Sequence, residues 1–240
     1  VIPDQFTYLA LLVFSIAYPF AQSFEHRISL WKKWKNMIPS ILITAIFFLA
    51  WDIYFTKIGV WSFNARYTLP FRLAGMPLEE WLFFCVVPYC CFFVYFIMDY
   101  YVPLKPNPKI ETLISAFICL FFMVAAFIYI DKWYTSVACI CSGILLSYLS
   151  FVRRINYLLK FWMGYLVCLI PFLIVNGILT EWPVVEYNDS ENSGYRIAIS
   201  GLANIPVEDL VYNFLLLLMN ISLYEYFSSR EQLNRAQPKS

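Results

Sequence analysis

The chain has 240 residues, a formal net charge of +1, 61% hydrophobic and 14% charged residues, and a mean hydropathy of +0.65. Soluble globular chains carry about 25% charged residues, so this composition specifies an integral membrane protein, and the near-neutral charge leaves no basic field for nucleic acid. The seven cysteines lie in apolar runs, the single histidine, His26, lies in a basic stretch, and the seven glycines form no nucleotide-binding fingerprint. No disulfide framework, no metal site and no cofactor are therefore expected.

The first apolar run, about Phe6 to Phe24, lacks the basic leader and small-residue cleavage site of a signal peptide, and is expected to stay as a helix. A basic loop follows, with His26, Arg27, Lys32, Lys33 and Lys35. Further apolar runs recur at about Met37 to Phe55, Pro77 to Tyr101, Ile110 to Ile130, Trp133 to Val152, Leu158 to Leu179 and Pro206 to Phe227. Each approaches the ~20 residues that cross a bilayer. Continuous apolarity without alternation excludes a barrel, so the spacing predicts seven helical spans. Pro19, Pro88 and Pro171 fall inside them and are expected to kink them.

The loops after spans one, three and five and the C-terminal end are basic, whereas the loop after span six is acidic, with Glu181, Glu186, Asp189 and Glu191. With seven spans all the basic segments fall on one side, which the positive-inside rule makes cytoplasmic. The expectation is a multi-pass protein of the cell (inner) membrane, N-terminus outside and C-terminus in the cytoplasm.

One stretch occurs twice. Leu73-Ala74-Gly75-Met76-Pro77-Leu78-Glu79-Glu80 returns as Leu202-Ala203-Asn204-Ile205-Pro206-Val207-Glu208-Asp209, the prolines 206 − 77 = 129 residues apart. Phe24 to Ile28 likewise resembles Phe151 to Ile155, and Asp52 corresponds, after a small gap, to Asn176. Spans one to three thus repeat as spans five to seven, with span four as a linking helix. The predicted organisation is residues 1–104 for the first repeat, 105–131 for the linking helix, 132–229 for the second repeat and 230–240 for a polar tail. Two three-helix units joined by one helix run parallel, which places both acidic motifs at the same, outer, end.

Each proline suits the first turn of a helix, and Glu79, Glu80, Glu208 and Asp209 then occupy first turns, where negative charge is favoured. Taken singly, each motif reads as a solvated helix start. Taken together, four carboxylates converging at the edge of the hydrocarbon cannot all ionise cheaply, and such clusters separate an acid from a base. Successive helical residues differ by about 100°, so one of each pair is expected to face inward. Glu79 and Glu208 are placed there, with Glu80 and Asp209 as their partners.

Other polar groups fall at the same level: Asp52 beside Trp51, Asn176, and Asn213 one turn beyond Asp209. A charged side chain in a span is a candidate functional group, with pairing of Asp52 to Arg66 or Arg72 as the alternative. Asp99 and Glu225 read as solvated ends of spans three and seven. Aromatic residues make up 20% of the chain, and Trp51, Trp61, Phe63, Tyr67, Trp81, Phe83, Phe84, Trp182, Tyr187 and Tyr212 surround the motifs. Such residues form interfacial belts, but beside an acid their ring faces would also stabilise a carbocation.

The duplicated Pro-x-Glu-Glu/Asp motif, the Trp51-Asp52 that precedes its first copy and the three-span repeats resemble the membrane lycopene cyclases of the heterodimeric type, in the fused tandem form. That resemblance covers nearly the whole chain. It implies proton-initiated closure of lycopene ends to β-ionone rings, giving γ-carotene and β-carotene without flavin or another cofactor. It makes Glu79, Glu80, Glu208 and Asp209 the candidate acids and bases, with Asp52, Trp51, Trp81, Asn176, Tyr212 and Asn213 as candidates for contact with the substrate or its cation. Asn176 in place of a second aspartate implies that the halves are not equivalent and share one composite site. The partners implied are lycopene or a related acyclic carotenoid within the bilayer, membrane lipid and other enzymes of carotenoid biosynthesis, with no nucleic acid. Glutamine at Glu79 or Glu208 is expected to abolish conversion. A non-catalytic carotenoid-binding protein is the competing reading. A prenyltransferase is disfavoured by the scattered aspartates, which form no magnesium-binding motif, and a retinal photoreceptor by the lack of a lysine within a span core.

Overall fold

The computed structural model describes residues 3–236. Seven helices among them are long and apolar enough to cross a membrane. They are α1 (Thr7–Ala21, extended by 3-10 turns to Asp4 and Phe24), α2 (Trp34–Ile58), α3 (Leu78–Tyr101), α4 (Pro108–Ile128), α5 (Trp133–Ser147, continued by a π-helical turn over Tyr148–Val152), α6 (Leu158–Glu181) and α7 (Glu208–Ala236). Side chains such as Phe14, Ile46, Phe117, Phe127, Ile144 and Ile170 are exposed around the bundle, an outward-facing apolar surface that suits a multi-pass membrane protein.

The two halves pack alike. Within each repeat the first helix lies on the third, α1 on α3 and α5 on α7, while each second helix lies on the third helix of the other repeat, α2 on α7 and α6 on α3. The two third helices are thus shared, so neither half closes its own core. Helix α4 stands outside this arrangement and packs along α5. One apolar cluster, with Phe48, Trp51, Phe55, Trp61, Phe84 and Leu216, fills the end that carries the motifs. A second, with Met37, Phe92, Tyr95, Phe96, Phe161 and Tyr224, fills the rest of the bundle.

The loops at the motif end contain short strands that hydropathy did not signal. Strands β2 (Arg72–Leu73) and β3 (Met76–Pro77) form a hairpin turning on Ala74 and Gly75, both with positive φ (53° and 87°). That is the conformation of a two-residue type I′ turn, for which glycine at the second position is suited. Strands β5 (Arg196–Ile199) and β6 (Ala203–Pro206) form its longer counterpart, pairing Arg196 with Pro206 as β2 and β3 pair Arg72 with Pro77. The third pair joins the repeats. Strand β1 (Trp61–Phe63) runs antiparallel to β4 (Val185–Tyr187), flanked by Asn64 N–H donating to the Val184 carbonyl (3.0 Å) and Asn188 N–H donating to the Val60 carbonyl (2.9 Å). This reciprocal pairing is what a two-fold pseudo-axis requires.

Gly177 in α6 lies against the second hairpin. A Cβ there would come within 2.8 Å of the Leu202 carbonyl oxygen, so only glycine lets strand and helix approach this closely. Pro19 sits inside α1 and cannot bond to the Ser15 carbonyl. The Cys90 thiol of α3 donates to that carbonyl instead, at 3.4 Å.

Several expectations need correction. Pro77 is the cap residue of α3, with extended backbone, and stands outside the first helical turn because it closes β3. Lys35 lies within α2, so the basic loop is shorter than expected. The segment expected to be a polar tail continues α7 as helix to Ala236, and Glu231 there pairs with Lys35 (2.8 Å) and Arg235 (2.7 Å). Asp99 and Glu225 are not merely solvated. Lys160 reaches Asp99 at 2.9 Å, and the Tyr95 hydroxyl donates to Glu225 at 2.9 Å.

Candidate active site

All four motif carboxylates are buried: Glu79 is 0% exposed, Glu80 7%, Glu208 2% and Asp209 4%. The reading of two solvated helix starts therefore fails. The hairpins fold back over the first turns of α3 and α7 and shut the carboxylates in.

Within each pair the roles divide, and they divide opposite to expectation. Glu79 turns outward to the loop and accepts the Leu69 N–H at 2.7 Å. Glu208 does the same in the second repeat, accepting the Ser193 N–H at 2.7 Å and the Thr135 hydroxyl at 2.6 Å. It is Glu80 and Asp209 that line the central pocket. Helical rotation alone leaves this choice open; the loop amides, which need acceptors once buried, claim the first carboxylate of each pair.

Around Glu80 and Asp209 the repeat is exact in placement and altered in chemistry. Tyr8 at the start of α1 donates to Glu80 at 2.7 Å, and Tyr134 at the start of α5 donates to Asp209 at 2.5 Å. Beside Glu80 stands Asp52 from α2, and both carboxyls line the same pocket. Beside Asp209 stands Asn176 from α6, donating its amide at 2.5 Å. Tyr187 of β4 gives Asp209 a third donor at 2.9 Å, and Tyr212 of α7 crosses to the first repeat to donate to Asp52 at 3.0 Å. Desolvation and the adjacent Asp209 carboxyl push the Tyr187 phenol well above its ordinary range, so it stays an O–H donor.

A hydrogen bond between two carboxyl groups requires a proton on one of them, since an ionised carboxylate only accepts. Adjacent buried carboxyls such as Glu80 and Asp52 are therefore suited to share one proton. Asp209, met by three donors, is built as an acceptor. The change from Asp52 to Asn176 between the repeats, with Tyr187 where the first repeat has Phe63, makes this difference.

Aromatic faces close the pocket. Trp61 stands edge-on to Tyr134 (5.1 Å between centroids), Tyr134 stacks on Tyr187 (6.1 Å), and Tyr212 meets Tyr134 edge-on (6.1 Å). Phe63, Phe83 and Phe172 complete the walls.

The other expected contacts are placed differently. Trp51 packs behind Tyr212 at 5.4 Å, outside the pocket lining. Trp81 donates to the Leu73 carbonyl at 3.2 Å and braces the first hairpin. Asn213 is buried beyond the pocket, and its side chain has no partner among the described residues. Arg66 pairs with Asp4 at 2.7 Å and Arg72 reaches loop oxygens, so neither meets Asp52. Tyr8, Tyr134 and Phe172 went unnoticed in the sequence. Tyr8 and Tyr134 occupy matching places at the starts of spans one and five, and aligning the repeats at those starts reveals them.

A family model described as lycopene cyclase matches residues 5–98 and again residues 131–227. The first match contains Tyr8, Asp52 and Glu80, and the second Tyr134, Asn176 and Asp209. Comparison with curated proteins and with solved structures found no match. With most of its length covered by these two matches, one on each half that builds the pocket, the chain belongs to the lycopene cyclase family.

Proposed function

We propose that this protein is a lycopene β-cyclase, an intramolecular lyase or isomerase that closes acyclic carotenoid ends to β-ionone rings, lycopene to γ-carotene to β-carotene, with no cofactor. The observation that carries this reading is the convergence of a carboxyl pair, Glu80 with Asp52, and a separately hydrogen-bonded carboxyl, Asp209, in one aromatic pocket. The proton of the pair adds to the terminal double bond. The electrons of the next double bond then attack the tertiary cation and form the ring bond. Asp209 removes a ring proton, leaving the ring double bond, so the protons balance and nothing is oxidised or reduced. The rings of Trp61, Tyr134, Tyr187 and Tyr212 supply faces for the cation, a contribution of ~2 kcal/mol or more once water is excluded. Loop charge supports a motif end outside the cell (inner) membrane and a C-terminus in the cytoplasm.

The test is expression in a lycopene-accumulating bacterium with chromatography of the pigments. Cyclic yellow or orange carotenoid with β rings is expected. Unchanged lycopene beside well-expressed wild-type protein would refute the cyclase reading and favour a non-catalytic carotenoid binder.

A further inference from the structure

The central pocket is a cavity of only about 50 Å³. A water takes about 30 Å³ of liquid and pockets for small molecules run to about 300–1,000 Å³, so this space is too small for the length of a polyene, and the chain behind the reacting end needs a second seat. A second cavity of about 470 Å³ lies on the reverse face of the same wall. Thr135, Glu208 and Val211 face it, whereas their chain neighbours Tyr134, Asp209 and Tyr212 face the central pocket.

This groove runs between α4 and the second repeat. Phe121, Val124 and Ile128 of α4 line it and are 56%, 49% and 60% exposed on the bundle's outer surface, so it opens sideways towards lipid. Tyr129 and Tyr195 line it as well. Among the described residues Glu208 is the one carboxyl that lines it. Oε1 of that residue is taken by Thr135 and Ser193, and Oε2 is buried with no partner among the described residues. Glu79 holds its loop in the same way, its Oε2 likewise without a partner among the described residues, but α4 packs on α5 of the second repeat, and among the described residues no helix corresponds to it beside the first.

We infer that this groove seats the acyclic hydrocarbon chain of the substrate, which enters from the bilayer and carries its reacting end past Glu208 towards the neighbouring Asp209 and the central pocket. The inference rests on the cyclase reading above. An apolar, laterally open slot fits an unfunctionalised polyene, which has no polar group to satisfy, and it ends one residue from Asp209. The linking helix thereby gives one of two equivalent carboxyls a binding slot and makes the enzyme one-sided.

Ala125→Trp and Ile118→Trp fill the slot from α4, and Leu113→Trp, on the exposed face of the same helix, is the control. With full-length protein in lipid nanodiscs and lycopene as the probe, both filling variants are expected to lose at least about tenfold in bound lycopene and in conversion, with melting temperatures near that of the wild type and the control unaffected. If the wild type converts lycopene while both folded filling variants bind and convert it as well as the wild type, the groove is not the seat, yet the cyclase reading stands. Native mass spectrometry finding only phospholipid displaced by the tryptophans, with lycopene binding unchanged, overturns it equally. A wild type that binds lycopene at the groove but converts none refutes the cyclase reading and leaves the seat.

Discussion

At the residue scale, the proposed reaction has the first half donate a proton and the second accept one, and the difference between Asp52 and Asn176 is its main ground. Glu80→Gln and Asp209→Asn keep shape and volume but remove the ionisable group, and each is expected to slow conversion by about 10²–10⁴-fold, the span typical of general acid–base catalysis. Pigment chromatography beside a melting curve checks this, since loss of fold would lower both together. Asn176→Asp tests the asymmetry directly. A second carboxyl against Asp209 must share a proton with it, so the base is lost and conversion falls although no group is deleted. Wild-type turnover in Asn176→Asp would remove Asp209 as the base. Sequence pattern made all four motif carboxylates candidates, but it assigned Glu79 and Glu208 to the interior. The partners that reversed this, the amides of Leu69 and Ser193, are backbone groups that every residue carries and no side-chain pattern reveals.

At the element scale, the hairpins and loops over the motif end are fastened by those same carboxylates. Glu79→Ala deletes the acceptor of the Leu69 amide and is expected to cost about 1–3 kcal/mol, the penalty for leaving a buried group unpaired. Glu79→Gln keeps a carbonyl oxygen there and should retain far more stability and turnover than Glu80→Gln, contrary to the expectation from sequence. Amide exchange at Leu69 and the melting temperature distinguish the two. Gly177 is the matching test in the second repeat. Gly177→Ala sets a Cβ 2.8 Å from the Leu202 carbonyl, and overpacking of this kind costs about 1–3 kcal/mol. Proteolysis within residues 196–206 should accelerate in that variant. Neither hairpin was legible beforehand, because strands of two to four residues leave no periodicity to detect.

At the scale of the whole molecule, each third helix packs against the other repeat's second helix, and Tyr212 crosses to Asp52. Residues 1–104 and 105–240 expressed as separate chains are therefore expected to convert lycopene together and not singly, as pigment analysis of co-expressing and single-fragment strains would show. Conversion by one fragment alone would mean that each repeat holds a complete site.

By itself the sequence determined the membrane class, the seven helices, the repeat and the identity of the motif carboxylates. These follow from local chemistry: backbone in hydrocarbon must bond within its own segment, and a duplicated segment repeats its pattern. The tertiary structure alone decided which carboxylate of each pair faces inward, that Tyr8, Tyr134 and Tyr187 surround them, that β1 and β4 lock the halves, and that α4 walls one groove and not two. Each of these depends on which distant group reaches a buried acceptor or fills a space first. Residues 52, 80, 134, 176 and 209 meet only once the bundle is packed, and no local pattern encodes that meeting.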